Sequence, residues 1–138
     1  MNGPLAEKMD GGQQDGDCWA PDVTPRPLEV RWMQESEGIH REQLDFVLDD
    51  RRQVYSRHGG VTLPPDLGDG LAAYLPDTPF ADQPYRVVAK FRCDGKAQLM
   101  TIYLAQVAKG RDGIKDLIEL MRIAQQRYSK VYGCKLAT

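Results

Sequence analysis

The most regular alternation of apolar and polar positions runs through residues 84 to 107, "PYRVVAKFRCDGKAQLMTIYLAQV". Tyr85, Val87, Ala89, Phe91 and Cys93 alternate with Arg86, Val88, Lys90 and Arg92, the period of two that marks a half-buried strand. Asp94-Gly95 follows, a dipeptide suited to the two positive-φ positions of a type I′ turn, and a second run begins after it. The pattern predicts a β-hairpin. Pairing Cys93 with Lys96 sets Tyr85 opposite Leu104, Val87 opposite Ile102 and Ala89 opposite Met100, which makes one face apolar. The other face then presents Arg86 beside Tyr103, Val88 beside Thr101 and Lys90 beside Leu99. A three-residue loop with a bulge shifts the second strand by one and exchanges its faces, while the basic row of the first strand is the same in either register.

Two helical patterns flank other elements. Within "EGIHREQLDFVLDDRRQVYSRHGG", Leu44, Val47, Leu48, Val54 and Tyr55 fall at helical spacing before Gly59-Gly60, predicting an amphipathic helix over about 39–58. Its acids Glu42, Asp45 and Asp49 share a face and read as solvated partners of Arg41 and Arg52. Asp112 is a suitable N-cap for a second helix to about residue 132, with a stripe of Ile114, Leu117, Ile118, Met121, Ala124, Tyr128 and Val131 and a stop at Gly133. "RPLEVRWM" alternates Leu28, Val30 and Trp32 with Glu29 and Arg31, a short strand. Between Pro65 and Pro76, "GLAAYL" reads as either a helical turn or a short strand, and the rest of the segment up to Pro84 as loop. Residues 1–25, rich in Gly, Asp and Gln, read as a disordered acidic tail carrying a lone Trp19, ahead of a single domain over 26–138. The predicted fold is α+β: a small antiparallel sheet built on the C-terminal hairpin, joined by at least one more strand and packed against the two amphipathic helices.

Composition narrows the classes. The chain of 138 residues is 41% hydrophobic and 28% charged, with no apolar run near bilayer length, so no membrane partner is expected. Its start lacks the basic and apolar regions of a signal peptide, and the expected location is cytoplasmic. Cys18, Cys93 and Cys134 are odd in number and widely spaced, which predicts free thiols rather than a disulfide framework or a zinc site; no metal and no cofactor are expected. The net charge of -2 conceals a gradient. Residues 1–24 hold one Lys against five acids, residues 25–85 six Arg against eleven, and residues 86–138 eleven Lys and Arg against four, giving -4, -5 and +7. A basic C-terminal half points to RNA or another anionic partner.

Arg86, Lys90, Arg92, Lys96 and Tyr103 on the hairpin, with Arg111 after it, supply cations for phosphates and a flat side chain for a base, and are the candidate nucleic-acid-binding residues. The same basic row also suits a strand that only keeps a sheet soluble. "KGRDG" at 109–113 places Lys109 and Arg111 at a helix start but lacks P-loop spacing, and reads as a capped loop. There is no GxSxG motif, which excludes the usual serine hydrolase, and "DLGDG" has too few acids for an EF-hand.

The segments "DGLAAYL" at 69–75, "YRVVAKF" at 85–91, "GKAQLMTIYLAQVAKG" at 95–110 and the helix ending in Arg127-Tyr128 resemble, in outline over residues 28–130, the RelE/HigB-type family of bacterial toxins. That resemblance implies a metal-independent endoribonuclease acting on ribosome-associated mRNA, with "GLAAYL" as a strand and an antitoxin as protein partner. Cleavage by the RNA's own 2′-hydroxyl requires charge on the crowded phosphate and proton transfer. The resemblance assigns the first to Arg86 and Lys90 and the second to Lys109 or Tyr128. The chain departs from the family in lacking its acidic and basic pair on the second strand, and its lysine patch is reduced to Lys109 and Arg111. The alternative is a non-catalytic protein-binding inhibitor or adaptor of bacterial or phage origin.

Overall fold

The structure, a computed structural model, describes residues 8–12, 15–19, 28–36, 38–76, 82–107 and 109–136. The hairpin forms its centre as strands β6 (Tyr85–Cys93) and β7 (Lys96–Leu104), which precede helix α2 (Gly113–Tyr132). Asp94 and Gly95 take φ of 54° and 77°, the left-handed pair that a type I′ turn needs, and this turn selects the register. Cys93 pairs with Lys96, Val87 with Ile102, Ala89 with Met100 and Arg86 with Tyr103, so the unbulged alternative is the one formed.

Five further strands extend the hairpin on both sides. β1 (Lys8–Gly11), β2 (Asp15–Trp19) and β3 (Leu28–Gln34) lie on one flank, β4 (Val61–Thr62) and β5 (Asp69–Tyr74) on the other. Every neighbouring pair is antiparallel, in the order β1-β2-β3-β7-β6-β5-β4. "GLAAYL" is therefore resolved as strand, because Ala72 and Gly70 take up the free edge of β6 opposite Val87 and Ala89. The fold is α+β, as the alternation predicts.

Helix α1 (Arg41–Ser56) carries the chain from β3 to β4 across one face of the sheet, and α2 covers the other. The division follows strand alternation. Val87, Ala89, Phe91, Met100 and Ile102 meet Leu117, Met121, Ala124 and Tyr128 of α2, whereas Val88, Leu99, Leu71 and Ala73 meet Leu44, Leu48 and Tyr55 of α1. The side of β6 that bears the basic row is thus roofed by a helix instead of facing water, a correction to the reading of it as a wet face.

Asp112 caps α2 by accepting the N–H groups of Ile114 and Lys115, both at 3.1 Å, and Gly133 closes it at φ 65°. Val131, expected on the apolar stripe, is 54% exposed in the last turn. The acids of α1 do not simply pair along the helix: Arg41 binds Glu35, Arg52 binds Asp69, and Asp45 binds Lys90 of the sheet.

Two expectations are overturned outright. Residues 1–25 were expected to be a disordered tail, yet residues 8–11 and 15–19 form β1 and β2; residues 1–7, 13–14 and 20–25, and the side chain of Trp19, lie outside the described residues. β2 covers the otherwise open edge of β3 and buries Cys18 beside Val30, while the Trp32 indole N–H donates to Gly12 O at 2.7 Å. The free-thiol reading also fails for one pair. Cys93 and Cys134 form a disulfide across 41 residues of sequence, whereas Cys18, buried in the core, remains a thiol as expected. The chain leaving α2 turns back to the hairpin tip, where Asp94 N–H donates to Lys135 O and Lys135 N–H to Asp94 Oδ1, each at 2.8 Å, and brings the two sulfurs together. Part of the expected loop before Pro84, residues 77–81, lies outside the described residues. Among the described residues no helix is long and apolar enough to cross a membrane.

Candidate anion-binding cleft

The residues that sequence singled out do not converge on one site. Arg86 is half-buried under α1, its guanidinium carbon 4.5 Å from the centre of the Tyr103 ring and its Nε–H donating to Gln83 O at 3.1 Å. Burial pulls its pKa below the usual arginine value, opposed by the nearby phenols of Tyr55 and Tyr103, and a guanidinium so far from neutrality stays charged. Lys90 is neutralised by an ion pair with Asp45 of α1. Arg92 donates to Gly95 O at 3.2 Å on the exposed tip, where Lys96 is also exposed. Arg111 forms a two-armed pair with Asp116 at 2.8 and 2.7 Å, and Lys109 is exposed in the turn before α2.

Tyr128 is on the opposite face of the sheet from Arg86. Its hydroxyl donates to Gln98 Oε1 at 2.9 Å, and Gln98 Nε2 donates in turn to Gln34 Oε1 at 2.8 Å, a buried relay that is structurally complete. Burial raises its pKa well above the tyrosine range, so the phenol neither gives nor takes a proton near neutrality. Arg86, Lys90, Lys109 and Tyr128 therefore do not form a single constellation.

Arg86 and Tyr103 do belong to a group that the sequence reading did not assemble. Between α1 and strands β2, β3 and β7 lies a cleft of about 400 Å³. Gly11, Gly16 and Asp17 form one wall, Val47 and Arg51 of α1 the other, and Arg31, Met33, Leu99, Thr101 and Tyr103 the floor. Arg31 donates to Glu29 Oε2 at 2.8 Å and lies 5.8 Å from the centre of the Tyr103 ring, so two guanidiniums address one phenol. That hydrogen bond is the main cause raising the Arg31 pKa, and Glu29 is 5% exposed, which makes the pair a fixed feature of the floor.

Arg51 meets Asp50 only at 3.5 Å, with its Nη1. Among the described residues, Arg51 Nε and Tyr55 Oη are buried with no hydrogen-bond partner. A buried donor without an acceptor costs about 1–3 kcal/mol, which structural packing alone gives no reason to retain. Burial drives the Tyr55 pKa far up, with Arg51 and Arg86 opposing through their charge, so the hydroxyl remains a proton donor. The guanidiniums of Arg31 and Arg51 and the Thr101 hydroxyl, which line the cleft, suit an anion. Among the described residues no group of three or more His, Cys, Asp or Glu side chains could hold a metal ion.

Arg31, Arg51, Tyr55 and Asp17 escaped the reading of the sequence. A signal was present for two of them: Leu44, Leu48, Arg51 and Tyr55 follow one another at helical spacing, so Arg51 interrupts the apolar stripe of α1. Fold and cleft together define an α+β protein with an arginine-lined pocket on one sheet face. Compared with known proteins, the chain matches no family model, and no curated protein or solved structure matches it significantly.

Proposed function

We propose that this protein binds single-stranded nucleic acid, RNA in the first place, as a non-catalytic module gripping it through the cleft beneath α1. The observation that carries the reading is a cleft lined by Arg31, Arg51 and Tyr103, with the guanidiniums of Arg31 and Arg86 over the Tyr103 ring and Arg51 Nε unpartnered among the described residues. Guanidiniums give phosphate oxygens paired donors, and the apolar floor and wall suit a base. The +7 of residues 86–138 and the outline resemblance to RelE/HigB-type toxins favour RNA as the polymer. The cleavage that the resemblance implies is not carried over, because Arg86 and Tyr128 stand on opposite faces and Lys90 is held by Asp45.

The test is binding of a fluorescent single-stranded RNA over a salt series. Affinity falls steeply as salt rises, and Arg31→Ala with Arg51→Ala weakens it more than tenfold, with a shallower salt slope. Unchanged affinity in the double variant sinks the reading. Binding to a protein partner as an inhibitor or adaptor is the second reading, and Phe46, 75% exposed on α1, is the side chain on which to test it. It predicts negligible RNA affinity and a partner interface lost in Phe46→Asp.

A further inference from the structure

We infer that the cleft seats a single nucleotide unit bearing a phosphate monoester, with the phosphate at the Arg31, Arg51 and Thr101 end and the base at the Met33, Val47 and Leu99 end. This rests on the nucleic-acid reading above and narrows it to a terminal or free nucleotide.

The cleft is polar at one end and apolar at the other because two periodicities coincide. Across the β3–β7 ladder Arg31 is opposite Thr101 and Met33 opposite Leu99, one rung pair polar and the next apolar. Above them Val47 and Arg51 are one helical turn apart on α1, so the helix repeats the same division. A ligand that satisfies both ends has an anionic head and a flat apolar body. At about 400 Å³ the space matches a small-molecule site, roughly 300 Å³ and upward, and one nucleotide unit rather than several.

The donors indicate which phosphate. Of the two cations in the lining, Arg31 is partly committed to Glu29, which leaves the Arg51 guanidinium, 3.5 Å from Asp50 and with Nε unpartnered among the described residues, as the less committed donor. A monoester offers three terminal oxygens and a charge of about -1.5 to -2, against two oxygens and a single charge for an internal diester. Asp17 opposes Arg31 on the β2–β3 ladder and lines the cleft, which disfavours a second phosphate there.

One oligoribonucleotide in 5′-phosphorylated, 3′-phosphorylated and dephosphorylated forms, with free nucleoside monophosphate as competitor, tests this by fluorescence anisotropy. A phosphorylated form binds at least about tenfold more tightly than the dephosphorylated one, and Thr101→Val or Arg51→Gln lowers that preference about tenfold. Melting curves of both variants verify folding. If the mononucleotide binds and no oligomer does, the cleft assignment stands with free nucleotide as its ligand, and the RNA reading alone fails. Equal affinity for all three oligomers overturns the monoester seat while leaving RNA binding intact. A preference that persists in both folded variants overturns it as well.

Discussion

The two faces of the sheet are made from alternate residues of the same strands and each is covered by one helix, yet they are finished differently. On the α2 side the polar groups that are buried find partners: Tyr128, Gln98 and Gln34 form a closed relay within an apolar core, and a disulfide ties the end of the helix to the hairpin. On the α1 side, charged residues share the interface with the core, and Arg51 Nε and Tyr55 Oη are buried without partners among the described residues. One face is arranged for stability. The other holds polar groups at a cost that binding would recover.

Several substitutions break or sharpen that contrast. The largest effect is expected at the covalent tie: Cys134→Ser reopens a loop spanning 41 residues and costs about 4 kcal/mol in the chain-entropy account, read from denaturant unfolding with and without reductant. A stability insensitive to reduction would show that hydrogen bonds at the hairpin tip suffice to hold the end of α2. Leu117→Ala, at a fully buried position of α2, costs about 2–5 kcal/mol.

A matched pair of tyrosine substitutions then separates the faces directly. Tyr128→Phe strips the donor from Gln98 and destabilises by about 1–2 kcal/mol, whereas Tyr55→Phe removes an unpartnered hydroxyl and leaves stability unchanged or raised by up to about 1 kcal/mol. The opposite signs, measured by the same thermal or chemical melt, are the sharpest form of the comparison. Losses of similar size in both variants would mean that the two faces are equally satisfied.

The smallest effect concerns how α1 is held. Glu35 accepts Arg41 at 2.9 Å and the Ala97 N–H at 3.0 Å, joining the start of the helix to β7. Hydrogen bonding by Arg41, and then by Ala97, lowers its pKa to about 2. A carboxylate depressed in the folded state contributes stability that is fully present above its ordinary range near 4.5 and is lost as pH falls toward 2. Glu35→Gln is therefore expected to flatten the stability profile between those limits while leaving the Cys93–Cys134 tie unaffected. As the site is near the surface, the change is a modest one.

Local pattern was enough for the elements that carry strong periodicity. Asp94-Gly95 and the flanking alternation specify the hairpin and keep Arg86 on one face in either register, while the choice between the two registers falls to the left-handed turn that Asp94 and Gly95 form. Asp112 and Gly133 bound α2 through capping geometry that depends only on neighbours. β1 and β2 were not legible in this way. Their sequences are Gly- and Asp-rich with few apolar residues, and they are strands because β3 offers them an edge that β7 leaves open.

The candidate site divides along the same line. Arg86 and Tyr103 are cross-strand neighbours, so the hairpin register alone brings them together. Arg31, Arg51 and Asp17 come from β3, α1 and β2, and no spacing in the chain says that these elements surround one cavity. Equally, Lys90 and Arg111 look like free cations in sequence and are neutralised by Asp45 and Asp116 in the fold.

The sequence by itself determined the α+β class, the hairpin, both helices and the placement of Arg86 on the face opposite the apolar row, because each follows from hydrogen bonds and side-chain periods among residues close in the chain. Only the tertiary structure decided that α1 would roof that face, that Cys93 would meet Cys134, and that Arg31 and Arg51 would line one cleft. Those outcomes depend on where long connections return, and a period of two or 3.6 residues carries no information about that.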